Sequence, residues 1–299
     1  MDVTVIIINY NTCDLTLNCL DSIYEKTDGV SFEVVIVDNA STDCSVKYIK
    51  EQFPQVILVE SSVNLGFGKA NNLASSYSTG KYLLLLNSDT ILLNNAIKYF
   101  YDYVSGCIDE VVCGTWLLDN RGNIVHSSGK FLTIWSELKH DILIFPSHIP
   151  FINRFIYEQP VLEVFDENIN SLEVDYITGA DLFISKKVFE EVGMFDSDFF
   201  MYFEDTDLQK RLSNKNISRL LIKGPQIVHY GAGSQKMVSI NSLMLPTKSF
   251  ILYMKKHNSK LSYIFFRVYY FILKTLLVLF LRFTIKEKIT FIKLLFYGK

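Results

Sequence analysis

Four short runs near the start of the chain are apolar at nearly every position, and each breaks into a polar turn. Val3 to Ile8 leads to Asn9, Tyr10 and Asn11, and Phe32 to Val37 leads to Asp38 through Asp43. Val56 to Val59 leads to Asn64, Leu65, Gly66, Phe67 and Gly68, and Tyr82 to Leu86 leads to Asn87, Ser88 and Asp89. A run with no polar alternation suits a strand covered on both faces. Between the runs, Leu15, Cys19, Leu20 and Ile23 recur on one helical face, as do Val46, Ile49 and Phe53. The pattern predicts an α/β fold, a Rossmann-like and mostly parallel sheet flanked by helices. Ligands of such sheets gather beyond the carboxyl ends of the strands, which puts Asp38 and Asp89 at the mouth of a site. A local reading competes: Asn87, Ser88 or Asp89 would cap a helix beginning near Ile91, and Ser41 or Thr42 the helix after DNASTD.

NLGFGKANN spaces Gly66 and Gly68 as G-x-G, but no third glycine follows at the place a dinucleotide loop requires. A dehydrogenase reading therefore fails. In FEDTDLQKR, Glu204, Asp205 and Asp207 crowd the start of a helix whose apolar side carries Leu208 and Leu212. Crowded carboxylates raise one another's pKa and favour base chemistry near neutral pH. Acids at a helix N-terminus also stabilise its dipole by about 0.3–1 kcal/mol without any catalytic part.

Taken in order and spacing, VIIINYN, VIVDNASTD, NLGFGKANN, LLLLNSDT, TGADLFI and FFMYFEDTDLQKR resemble family 2 of the inverting glycosyltransferases, with the fold called GT-A. The rhamnosyltransferase-like branch, which builds bacterial surface polysaccharides such as O-antigen or capsule, is the nearest pattern. The resemblance spans roughly residues 3 to 232. Asp181 departs from it, since many relatives carry a small or apolar residue there.

The resemblance implies a nucleoside-diphosphate sugar donor, UDP- or dTDP-linked, and inversion at the anomeric carbon. Asp38, flanked by Asn39 and Asp43, is then the acid that meets the base, and Asn9, Asn64, Gly66, Asn71, Ser88, Gly179 and Ala180 line the donor seat. Gly66 and Gly68 read equally well as plain turn glycines. A divalent cation, Mn2+ or Mg2+, is implied as cofactor, held by Asp89 and by His229 of IVHYGAGS, with Asn87 where the usual motif has its first acid. By residue type alone His229 is also a hydrogen-bonded strand-end histidine. Asp205 is the implied base with Glu204 second, and Asp207 is expected to bond backbone or acceptor.

The five cysteines are odd in number and lack paired metal spacing, which points to a reducing compartment. The start MDVTVIII has no basic leader, and its apolar run is short for a signal peptide. Residues 131–172 have weak periodicity and many aromatics, and read as an acceptor-side excursion. From Ile251 onward ten basic residues face Glu287 alone, a net of +9, so the first 250 residues carry −12 of the overall −3. On helices Lys260, Arg267 and Lys274, with Arg282 a step later, form one stripe beside Tyr263, Phe266, Tyr270 and Phe271. Such amphipathic C-terminal helices suit an anionic membrane surface better than a crossing. They would otherwise pack on the core or join copies of the chain into a homo-oligomer.

The domains expected are 1–235, a GT-A catalytic domain, and 236–299, a helical membrane-associating region. The function expected is transfer of a hexose or deoxyhexose to a lipid-linked or oligosaccharide acceptor by an enzyme peripheral on the cytoplasmic face of the cell membrane. No nucleic-acid partner is expected. The alternative is a GT-A-fold binding or scaffold subunit of a polysaccharide assembly complex.

Overall fold

The computed structural model of the protein describes residues 1–144, 169–231, 240–280 and 283–298. Most of the 131–172 excursion, and Arg282, lie outside the described residues. The chain forms two compact units. One comprises Met1–Phe131, Leu162–Phe200 and Glu204–Ser234, and the other Leu132–Val161, Met201–Phe203 and Gln235–Lys299.

The first unit opens with β1 (Val3–Asn9), α1 (Cys13–Lys26), β2 (Phe32–Asp38), α2 (Ser45–Gln52), β3 (Ile57–Glu60), α3 (Phe67–Tyr77) and β4 (Tyr82–Asn87). Next come β5 (Thr90–Leu92), α4 (Ala96–Ser105), β6 (Val111–Thr115) and β7 (Ser128–Gly129). Helix α5 (Ile134–Ile144) belongs to the second unit. The first unit resumes with β8 (Ser171–Glu173), β9 (Tyr176–Ile177), β10 (Asp181–Ser185), α6 (Lys186–Glu191), α7 (Glu204–Ser213), β11 (Ser218–Ile222) and β12 (Ile227–His229). The second unit then adds α8 (Ile240–His257), α9 (Lys260–Phe280) and α10 (Ile285–Tyr297).

Eight strands make the central sheet in the order β3-β2-β1-β4-β10-β6-β11-β8. The β3-β2-β1-β4 half is parallel throughout, as is the β11-β6 pair, whereas β10 runs antiparallel to both of its neighbours. Strand alternation sends Val5, Ile7, Leu84 and Leu86 to one face and Ile6, Val35, Leu83 and Leu85 to the other. The first face packs under Leu20 and Ile23 of α1 and Ile97 and Phe100 of α4. The second packs under Ala70 and Ala74 of α3 and Leu208 and Leu212 of α7. Both faces being covered explains the unbroken apolar runs, and truncating a fully buried Leu84 or Leu85 to Ala costs about 2–5 kcal/mol.

Two local expectations are corrected. No helix begins near Ile91: Thr90–Leu92 is a strand, paired antiparallel with β12 so that Thr90 faces His229, and α4 starts only at Ala96. Nor do Ser41 and Thr42 cap α2. It starts at Ser45, whose N–H and hydroxyl both donate to Asp43 Oδ1, at 3.0 and 2.5 Å.

In the second unit the aromatic side of α9 turns inward, with Phe266 and Tyr270 buried against Phe250 of α8. The cationic stripe goes with it. Arg267 donates to the carbonyls of Leu295 and Phe296 at the C-terminus of α10, and Lys274 Nζ sits 2.6 Å from the buried Asp141 Oδ1 of α5. Two of the cations expected to meet solvent or lipid are thus spent inside the unit.

Candidate active site

Strands β2, β1 and β4 end side by side, with Asn9 in register with Asp38 and Ile8 with Asn87. Asp38 is 3% exposed, and both of its oxygens already accept: Oδ1 from Asn9 Nδ2 at 2.7 Å, Oδ2 from the Ser41 N–H at 3.0 Å. A carboxylate oxygen has a second lone pair, so this order does not exhaust Asp38. It fixes the carboxylate. Asn9 is spent in holding it, because its Oδ1 also accepts from Thr12 and Thr16 at 2.8 Å each.

Asn39 and Asn64 hold the neighbouring loop. The Leu65 N–H donates to Asn39 Oδ1 at 2.7 Å, Asn39 Nδ2 donates to Asn64 Oδ1 at 3.0 Å, and the Gly66 N–H donates to the same oxygen at 2.9 Å. Gly66 has φ +80°, and a Cβ there would collide with the carbonyl of Phe200. That carbonyl also accepts from the Phe67 N–H at 3.0 Å, so α3 starts against it. Asp43 ties α1 to α2 by accepting from the Cys13 N–H at 3.1 Å as well as from Ser45. Asn71 is buried in α3, its Nδ2 donating to Phe67 O at 3.0 Å. Ser88 Oγ lies 3.1 Å from Thr12 Oγ1 and joins the β4 turn to the β1 turn.

The β4 turn and β12 bring Asp89 and His229 together, with Oδ1 and Nε2 3.2 Å apart and Asn87 Nδ2 3.4 Å from the same nitrogen. Neighbouring ligands of an octahedral ion with bonds of about 2.1 Å stand about 3 Å apart, so this carboxylate and imidazole fit a magnesium- or manganese-sized cation. Among the described residues no group of three His, Cys, Asp or Glu side chains surrounds a metal position. The remaining positions would fall to ligand and water oxygens, the usual arrangement for a cation that binds with a diphosphate.

Two hydrogen bonds, each donated by a backbone N–H, carry the site from β4 to α7. The Asn87 N–H donates to Ala180 O at 3.0 Å, and the N–H of the adjacent Gly179 donates to Asp205 Oδ2 at 3.0 Å. Burial raises the Asp205 carboxyl above the ordinary range, opposed by the Thr206 and Gly179 N–H donors. Glu204 is buried with Oε2 lacking a partner, and burial, with Asp205 alongside, pushes it up to about 8. Asp207 goes elsewhere. It pairs with Arg211 at 2.8 Å, and Arg211 also donates to the carbonyls of Val192 and Met194.

Two contributors escaped the sequence reading, and a third, Asp181, stood out there only as a departure from the family pattern. Asn11 (φ +54°) uses Oδ1 to accept from the Thr42 N–H, and its signal was an Asn in a turn directly after an apolar run. Gln209 makes a two-way bond with the backbone of Ile177 and sits one helical turn after Asp205. Asp181 is buried in β10 and accepts from the Thr115 N–H at 2.6 Å, which gives the departure from the family pattern a place inside the sheet.

A family model described as Glycosyl transferase family 2 matches residues 4–165. An N-acetylglucosaminyl-diphospho-decaprenol L-rhamnosyltransferase of Mycobacterium tuberculosis is 24% identical over 76% of this chain and 75% of its own length. Rhamnosyltransferase WbbL of Escherichia coli is 25% identical over 76% of this chain and 83% of its own. Among solved structures, a mannosyltransferase of Pyrobaculum calidifontis in complex with GDP-Man and Mn2+ aligns with TM-score 0.57 and 17% identity, over 86% of this chain and 65% of that one. GalNAc-T7 with UDP, GalNAc and Mn2+ aligns with TM-score 0.59 and 12% identity, over 83% of this chain and 47% of that one. The chain thus spans about two thirds or less of these solved chains, and the likeness shows the GT-A fold.

Proposed function

The chain belongs to glycosyl transferase family 2 and is a glycosyltransferase, and on that premise we propose that it moves a hexose or deoxyhexose from a UDP- or dTDP-linked donor to a growing, lipid-linked glycan. The observation that carries this reading is the pair of hydrogen bonds joining the Asp89 turn to Asp205: Asn87 to Ala180, then Gly179 to Asp205. The pair that would hold a cation and the proposed base are thereby tied together through the Gly179–Ala180 turn.

The donor's base sits at the ends of β1 and β2, where Asp38 receives its ring N–H on a carboxylate fixed by Asn9 and Ser41. Asn39, Asn64 and Gly66 shape the loop beside it. Gly179 and Ala180 leave room for backbone to approach the sugar. Asp89 and His229 would hold a divalent cation, which as a Lewis acid offsets the charge on the leaving diphosphate. Asp205 accepts the acceptor hydroxyl proton while that oxygen bonds the anomeric carbon on the face opposite the departing diphosphate, which inverts the centre. Burial, with Asp205 alongside, pushes Glu204 up to about 8, so that it keeps its proton near neutral pH.

The catalytic domain is residues 1–235, and residues 236–299 form a membrane-associating region on the cytoplasmic face of the cell membrane. Two rhamnosyltransferase relatives, one of them named for a diphospho-decaprenol substrate, support a polysaccharide setting. The deciding experiment incubates purified protein with a panel of nucleotide sugars and a membrane lipid extract. Release of nucleoside diphosphate together with a glycosylated lipid is expected. Donor binding with no transfer across the panel would favour the scaffold alternative.

A further inference from the structure

With the cationic, aromatic side of α9 turned inward, the opposite side is an apolar stripe that faces outward. Leu261 is 81% exposed, Ile264 51%, Val268 56%, Ile272 53% and Leu279 54%, at the three- and four-residue spacing of one helical face. Exposed Phe265 extends the row and meets Trp135 of α5, itself 73% exposed, with ring centroids 6.1 Å apart. By length and composition α9 is apolar enough to cross a bilayer. Its inner side argues against that, because crossing would strip Lys274 from Asp141 and Phe266 from its buried neighbours.

The geometry points to the outer face of α9 as the surface that lies in the plane of an anionic bilayer, immersed to the depth of Ile264, Val268 and Ile272, with Trp135 at its edge. This rests on the reading of the enzyme as a membrane-surface glycosyltransferase and names the part that does the binding. Charge selects the occupant. From Ile251 onward the chain carries +9, and Lys255, Lys256, Lys260, Lys286 and Lys293 are exposed, whereas Glu287 is engaged in capping α10. A second copy would bring like charge against like, but anionic headgroups attract each lysine near the surface. Tryptophan favours the headgroup level, with its ring in the apolar boundary and its N–H toward water. The lipid-contacting cations are thus Lys260 at the start of α9 and the exposed lysines of α8 and α10, and not Arg267 and Lys274.

The test uses the full chain and vesicles of phosphatidylglycerol with phosphatidylcholine. Native protein should co-sediment, less so as salt rises, and brominated lipid should quench a part of its fluorescence that Trp135→Phe removes. A variant carrying Ile264→Glu, Val268→Glu and Ile272→Glu should lose binding about tenfold or more, with its melting curve and nucleotide binding unchanged. A second variant with serine at the same three positions guards against a purely electrostatic effect and should also lose binding. Vesicle binding unaffected by both variants, resistance of the native protein to alkaline carbonate extraction, or a lipid-free dimer that the triple variant converts to monomer would each overturn the inference. Sugar transfer is scored separately on a water-soluble acceptor analogue. Its absence with vesicle binding intact counts against the transferase reading and not against this face.

Discussion

The main-chain N–H of Gly179 donates to Asp205 Oδ2 at 3.0 Å, so the proposed base is anchored by the turn that follows β9 as well as by its own helix. Asp205→Asn keeps the side-chain volume and an acceptor oxygen for Gly179 but removes the proton acceptor. Turnover should fall at least about a hundredfold, with donor affinity changed by less than about threefold. Steady-state rates and nucleotide-sugar titration check this. Turnover near that of the native enzyme would pass the role to Glu204.

Glu204 gives a pH signature. Its folded pKa stands above the ordinary 4.5, at about 8, so the folded state binds this proton more tightly than the unfolded state does. The stability it contributes is intact below about 4.5 and is lost as pH rises through about 8. Glu204→Gln removes the titration, and its melting temperature relative to the native protein should climb between acidic and mildly alkaline pH. A difference that stays flat across that range would mean that Glu204 is ionised in the fold.

Metal removal tests Asp89 and His229. Activity should vanish in chelator and return with Mn2+ or Mg2+, and Asp89→Ala should weaken both cation-dependent diphosphate binding and turnover. Calorimetric titration of Mn2+ in the presence of nucleoside diphosphate supplies a readout apart from activity. Full turnover in chelator would remove both residues from a metal role.

Lys274 separates a structural cation from a surface one. Lys274→Met leaves Asp141, 4% exposed, without its ion-pair partner, and breaking such a buried pair costs about 3–5 kcal/mol. Lys260→Met, at the exposed start of α9, should change stability by less than about 0.5 kcal/mol. Denaturant titration monitored by hydrogen exchange in α9 distinguishes them, and equal effects would mean that the Lys274–Asp141 contact contributes nothing.

The strand ends were legible because a doubly covered strand writes itself as an uninterrupted apolar run, and Val3–Ile8, Phe32–Val37 and Tyr82–Leu86 all became strands of the sheet. What escaped depends on partners distant in sequence. Thr90–Leu92 is a strand only because β12 pairs with it, and no local window around Ile91 contains that partner. The helical tail was legible from its spacing, but which side faced outward was not. Phe266 and Leu261 are equally apolar as letters, and only the packing of α5, α8 and α10 decides that one is buried and the other exposed.

Gly66 offers a test that does not depend on the chemistry. Its φ of +80° is disfavoured for any residue with a Cβ, and that Cβ would meet the backbone carbonyl of Phe200, which cannot rotate aside. Gly66→Ala must therefore shift either the 64–66 loop or the Phe200 segment, and both bear on the candidate site: the loop through Asn39 and Asn64, the segment through the start of α3. The expected cost is about 2 kcal/mol or more in unfolding free energy, with weaker nucleotide binding in the protein that remains folded. Gly122 is the control, since it has a similar φ of +82° but no atom within 4 Å of a built Cβ, so Gly122→Ala should suffer only the backbone strain. If Gly66→Ala and Gly122→Ala proved equally destabilising, the close approach of Phe200 would have no part in holding the donor loop.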